Sequence, residues 1–163
     1  MSSTIDLAKK NLDNMLDWIG RFDNKSSVIM GLNLGMLGML VSFAPEFNNW
    51  TNFMWGSTLL TLLALGLCFI CIYSSNFPRT KGPEVSLFYF GSINKMECDE
   101  FQQQFTSRTE DQHLEDLLGQ VHRNAQIITI KFEHLKGAYL MLIIGVIPWA
   151  LTLFLFNTIP KGV

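Results

Sequence analysis

Three histidines, three cysteines and a cluster of carboxylates are the side chains whose types invite chemistry, and none of the groups has the spacing its chemistry requires. His113, His122 and His134 are separated by nine and twelve residues. Neither interval stacks imidazoles on one helical face, and no HExxH or paired CxxC motif accompanies them, so they read as solvated or lightly buried rather than metal-ligating. Cys68 and Cys71 form a single CxxC inside an apolar run, where they read as small packing residues, and with Cys98 they are too few for a disulfide framework. Glu110, Asp111, Glu115 and Asp116 read as the exposed face of a long helix and as favourable charges near its N-terminus. G-x-S-x-G, P-loop and G-x-G-x-x-G patterns are absent. The sequence therefore predicts neither an enzyme nor a metal site.

The elements that would position these residues are those of a membrane protein. Of 163 residues, 48% are hydrophobic and 16% charged, where a soluble domain averages about a quarter charged. A net charge of -2 gives no case for a nucleic-acid polymer as partner. A polar portion of about 60 residues buries little core alone, which makes a homo-oligomer the expected state. The N-terminal stretch lacks the basic, apolar, small-residue order of a cleavable signal and reads as part of the mature protein.

Three stretches without charge are long enough to cross about 30 Å of hydrocarbon, and they predict spans at residues 26–45, 55–75 and 137–160. Residues 46–54 then form a short external turn, with Trp50 and Trp55 in the interfacial aromatic belt. Lys and Arg divide eleven to one between the two sides: only Lys161 falls on the side of the turn. This predicts a membrane protein with its N-terminus in the cytosol and its C-terminus outside. No filter sequence or run of buried charges marks a constitutive channel or carrier.

Within the first span, Gly31, Gly35 and Gly38 give a small-xxx-small pattern. It is expected to pack against another span of the same chain, a subunit interface being the alternative. Asn33 in the same run needs a hydrogen-bond partner in lipid, and Pro148 should kink the third span. Residues 1–25 predict an amphipathic helix with Leu12, Met15, Leu16, Ile19 and Phe22 on its apolar face. Its polar face is acidic, which favours packing on protein over lying on a membrane.

Residues 76–136 form the cytosolic cap and stalk. PRTKGP reads as a linker, VSLFYFG as a buried strand or an extended plug, residues 99–104 as a short helix, and TSRTED as a turn. From about Thr109, Leu114, Leu118, Val121, Ala125, Ile128, Phe132, Leu135, Tyr139 and Leu142 recur at alternating intervals of four and three. That predicts a helical seam running unbroken into the last span, with roughly 28 residues, about 40 Å, before Gly137. Its partner is the N-terminal helix or the same helix of another subunit. The fold class is thus an all-α membrane protein: three transmembrane helices and a small, mainly helical cap, the last helix continuous with its juxtamembrane stalk.

DNKSSVIMGLNLG at the start of the first span, SLFYFGSI in the cap, and EDLLGQVHRNAQIITIKFEHLKGA leading into the last span together resemble the membrane effectors of bacterial Pycsar anti-phage systems. The shared positions are Asp23, Lys25, Ser27 and Asn33 in the first motif, Phe90 and Gly91 in the second, and Lys131 in the third. Ser26 stands where the family often has alanine, and Phe132 where tyrosine is common. The resemblance implies an effector that senses cyclic CMP or cyclic UMP and compromises the inner membrane, causing abortive infection. No further cofactor is implied.

Such a ligand carries one phosphate charge and a flat base, so its site needs basic groups, polar base-edge partners and an aromatic face. Arg79, Lys81, Arg123, Asn124 and Lys131 supply the candidates for charge and amide contacts, with Tyr89 and Phe90 for stacking. Asp23, Lys25, Asn33 and Pro148 are the candidate coupling residues. The plainer reading is that FYF is core and the basic residues mark the cytosolic membrane edge. A non-lytic anchor that recruits a signalling partner through its cytosolic helices is the alternative function.

Overall fold

The computed structural model describes residues 2–77 and 86–158. Arg79, Lys81, the PRTKGP linker and residues 159–163 lie outside the described residues. Those described form α1 (Ser2–Phe43), a 3-10 turn (Phe47–Asn49), α2 (Asn52–Asn76), α3 (Phe90–Ile93), α4 (Cys98–Ser107) and α5 (Glu110–Thr158), with no strand among them. α1, α2 and α5 are each long and apolar enough to cross a membrane. The amphipathic N-terminal helix and the first span are one uninterrupted α1.

Local sequence explains where these helices begin and end. α1 stops two residues before Pro45, whose ring disfavours helical backbone in the residue before it. Thr51 caps α2, its hydroxyl accepting from the Met54 N–H at 3.3 Å. At the start of α5, the Gln112 N–H donates to Thr109 Oγ1 at 3.4 Å, while the Thr109 N–H donates to Gln112 Oε1 at 2.9 Å. This reciprocal capping box, with Glu110 and Asp111 in the first turn, sets the helix start.

The chain divides into two compact units, Phe22–Phe77 with Lys131–Val163, and Met1–Arg21 with Pro78–Ile130. The first is a three-helix span bundle. Asn33 Nδ2 on α1 donates to the Leu65 carbonyl of α2 at 3.0 Å, Trp149 Nε1 on α5 donates to the Met36 carbonyl of α1 at 3.0 Å, and the Thr61 and Thr152 hydroxyls join α2 to α5 at 3.4 Å. Only 17% of the most apolar stretch of α5 is buried, and Leu59, Leu60, Ile143 and Ile147 are exposed. Outward apolar surface around a partly polar interior is the pattern that lipid demands.

The glycines depart from expectation. Gly31, Gly35 and Gly38 face outward with nothing within 4 Å of an added Cβ, so intramolecular packing does not explain them. The close approaches lie on α5 instead: a Cβ on Gly145 would stand 3.2 Å from the Ala64 Cβ, and one on Gly137 3.3 Å from Cys71 Sγ.

In the second unit α1 buries Ala8 and half-buries Ile5, Leu12, Met15 and Ile19, while Leu16 is exposed. Thr4 and Ile5 share a small pocket with Glu110, Asp111 and Leu114, so the N-terminal helix does partner α5 here. The predicted seam is the inner face only in part: Leu114, Val121, Ala125 and Ile128 are half-buried and Leu135 and Leu142 buried, but Leu118, Phe132 and Tyr139 are exposed. Leu117 is 1% exposed and Gln120 is buried, with Asn124 and Ile127 half-buried, whereas Leu118 is 49% exposed. In the span bundle the buried line of α5 continues through Lys131, Leu135, Ala138, Leu142, Gly145, Thr152 and Phe156, leaving Phe132 and Tyr139 exposed. The most apolar stripe is not the most buried one, because polar side chains here find their partners inside.

Candidate functional site

The second family motif owes its shape to Ser86. Its Oγ accepts the Phe88 and Tyr89 N–H groups at 3.1 and 3.2 Å and receives Gln120 Nε2 of α5 at 2.9 Å. A serine bonding the backbone two and three residues on competes with extended pairing. The aromatic run is therefore a turn leading into α3 rather than a strand. Asp116 of α5 fixes the next residue: its Oδ2 accepts the Leu87 N–H at 2.7 Å and Arg108 Nη1 at 3.2 Å, with the carboxylate side chain 6% exposed. The expectation that Asp116 lies on the solvated face of the helix is thereby corrected; Glu110, Asp111 and Glu115 are exposed.

This anchoring sorts the aromatic residues. Phe88 turns toward Phe105 and His113, with ring centroids 6.4 and 6.1 Å away. His113 is half-buried, its Nε2 3.1 Å from the Phe105 carbonyl oxygen. Tyr89 and Phe90 pair at 4.8 Å, and Phe90 is 69% exposed, leaving that ring open to a stacking partner. A Cβ on Gly91 would come within 2.6 Å of the Tyr89 ring, so the glycine keeps the tyrosine in place. Arg123 and Asn124 belong to the same unit and are half-buried, Arg123 Nη1 donating to Gln126 Oε1 at 3.0 Å.

Lys131 belongs to the span bundle. Its Nζ donates to Asp23 Oδ1, which ties the first and third motifs together through an ion pair between α1 and α5. Lys131 is 8% exposed, whereas the Asp23 side chain is 47% exposed. Removing Asp23 would therefore strand a mostly buried ammonium, the costlier way to break such a pair. Ser27 Oγ donates to the Asp23 carbonyl at 2.9 Å, Ser75 Oγ of α2 to the Lys131 carbonyl at 3.4 Å, and the Phe22 and Phe132 rings meet edge to face at 6.0 Å. Lys25 is exposed, with no ion pair among the described residues.

The ion pair stands at one end of a polar line through the bundle. Ser26, Asn33, Thr61 and Thr152 are fully buried, and Ser26 Oγ and Asn33 Oδ1 have no hydrogen-bond partner among the described residues. Interhelical hydrogen bonds in lipid contribute about 0.6 kcal/mol each, so those of Asn33 and of the Thr61–Thr152 pair specify helix register more than they stabilise the fold. Pro148 lies within α5, where it removes one backbone donor. Thr152 Oγ1 donates to its carbonyl at 2.8 Å.

The structure thus places Tyr89, Phe90, Arg123 and Asn124 in one unit and Asp23, Asn33, Lys131 and Pro148 in the other. Ser86, Asp116, Gln120 and Arg108 were missed. The sequence carried one signal for them, since Ser86 opens the second motif while Asp116 and Gln120 fall inside the third. Cys68 is buried and Cys71 half-buried, both free. No curated protein and no solved structure matches the chain. The family described as PycTM, Pycsar effector protein domain, matches residues 7–156, and the chain therefore belongs to the Pycsar effectors of anti-phage defence, here with three helices capable of spanning a membrane.

Proposed function

We propose that this effector is a non-enzymatic membrane protein gated by a cyclic pyrimidine nucleotide, cyclic CMP or cyclic UMP, whose activation impairs the inner membrane and causes abortive infection. The observation that carries the reading is the double use of the third motif. Through Asp116 and Gln120 it anchors the aromatic turn of the cap, and through Lys131 it pairs with Asp23 of the first motif. In this reading the nucleotide base stacks on Phe90 or Tyr89, its phosphate is met by Arg123 with Arg79 or Lys81, and Asn124 contacts the base edge. Binding shifts α5, the Asp23–Lys131 pair yields, and the polar line of Ser26, Asn33, Thr61 and Thr152 gives ions or water a hydrophilic route once the spans separate.

The outward Gly31, Gly35 and Gly38 support a homo-oligomer, because small residues allow close helix approach in lipid. The cap is assigned to the cytosol by the positive-inside bias. A non-lytic adaptor is favoured by one feature, the exposed apolar Leu118 and Phe90 in the cap. Titrating the purified protein in detergent with cyclic CMP, cyclic UMP and cyclic AMP, alongside dye release from proteoliposomes, separates the readings. Saturable binding of a pyrimidine nucleotide with matching release supports the effector. Binding without release supports the adaptor, and no binding removes the gating.

A further inference from the structure

The span bundle contains a cavity of about 520 Å³ at the end carrying the α1–α2 turn, lined by Leu37, Leu40, Val41, Trp50, Leu62 and Phe156 among others. Two polar side chains also line it, Thr58 and Glu46. Thr58 is 8% exposed, and its Oγ1 has no hydrogen-bond partner among the described residues. Glu46 belongs to the turn itself and is the sole charged residue between positions 26 and 77. Phe47, Trp50 and Trp55 cluster beside it, with the two indoles 4.5 Å apart, as side chains at a membrane–water interface do.

We infer that this cavity is a binding site for one phospholipid with a primary ammonium headgroup. An open, apolar groove of this size on a membrane-spanning bundle fits an acyl chain better than ordered water, which needs two to four polar partners. The two polar groups follow the order of a glycerophospholipid. The Thr58 hydroxyl lies on α2 about 10 Å from its Thr51 cap, where a lipid presents its ester carbonyl as acceptor. Glu46, at the turn, meets the ammonium beyond it. The headgroup class follows from charge: an exposed carboxylate with no ion pair among the described residues attracts an ammonium and repels an anionic headgroup, and three N–H donors bond a carboxylate directly.

The inference concerns the resting span bundle and does not depend on nucleotide gating. Native mass spectrometry of the full-length protein, exchanged in detergent against equimolar phosphatidylethanolamine, phosphatidylglycerol and phosphatidylcholine, tests it. The wild type should retain one phosphatidylethanolamine per chain. Glu46→Gln should weaken that retention about tenfold, the loss expected from one charge-assisted hydrogen bond, and erase the headgroup preference. Thr58→Val, which removes only a hydroxyl, should weaken it less, and Leu62→Trp should abolish it by filling the cavity. Circular dichroism must show each variant helical, and Thr58→Val stands in if Leu62→Trp does not fold. Equal retention of the three lipids, retention unchanged by Glu46→Gln, or displacement of lipid by a second copy of the chain would overturn it.

Discussion

The two units bury polar side chains for opposite reasons. In the span bundle Asn33, Thr61 and Thr152 are fully buried while Leu59, Ile143 and Ile147 face outward, because lipid outside makes the interior the only place where a polar group finds a partner. In the cap Ser86 and Gln120 are buried together with Leu87 and Leu117, and there the polar groups fix a turn within an otherwise apolar core. Asn33 and the Thr61–Thr152 pair in the bundle are registration marks between helices; Ser86 is the hub of a local fold.

Breaking the cap should cost most. Asp116→Ala removes the acceptor of the Leu87 N–H and the counter-ion of Arg108, and should destabilise the cap by about 2–4 kcal/mol. Hydrogen exchange at Leu87 and thermal unfolding in detergent check it, and wild-type protection would break the contrast. Leu117→Ala should cost about 2–5 kcal/mol and Leu118→Ala within about 0.5 kcal/mol, a difference that also tests the seam register. In the bundle, Gly145→Leu drives a side chain into Ala64 and should cost about 1–3 kcal/mol. Gly35→Leu meets nothing, so it should leave monomer stability unchanged while lowering the crosslinked oligomer fraction. Asn33→Leu loses one interhelical hydrogen bond, about 0.6 kcal/mol by thermal unfolding.

What the sequence disclosed follows the same division. The spans were legible because Glu46 is the only charge from position 26 to 77, and the long last helix because no proline interrupts it before Pro148. Register was legible only in part. The stripe through Leu118, Phe132 and Tyr139 is more apolar than the buried one through Leu117, Gln120 and Lys131, and periodicity assumes that the apolar face is the inner face. For the same reason GLNLG announced close packing without saying on which side. FYF suggested a strand or an extended plug because a short run of bulky aromatic residues ending at a glycine reads as one; the Ser86 hydroxyl, held by Gln120, and the Leu87 N–H, held by Asp116, each about thirty positions away, redirected it. Motif membership brought Asp23 and Lys131 into view separately, and only the fold pairs them.

That pair is where the account is most exposed. Lys25, also a candidate coupling residue, is exposed and without an ion pair among the described residues, so Lys25→Ala should lower release while leaving the pair itself in place. Proteoliposomes of Asp23→Lys, Lys131→Asp and the double exchange would be compared with wild type for dye release on addition of cyclic CMP or cyclic UMP. Each single reversal places like charges together and should silence release, while the double exchange restores the pair with opposite polarity and should recover it. Release by both single variants at the wild-type level, or a double variant as silent as the singles, would contradict a role for the Asp23–Lys131 pair in coupling nucleotide to membrane.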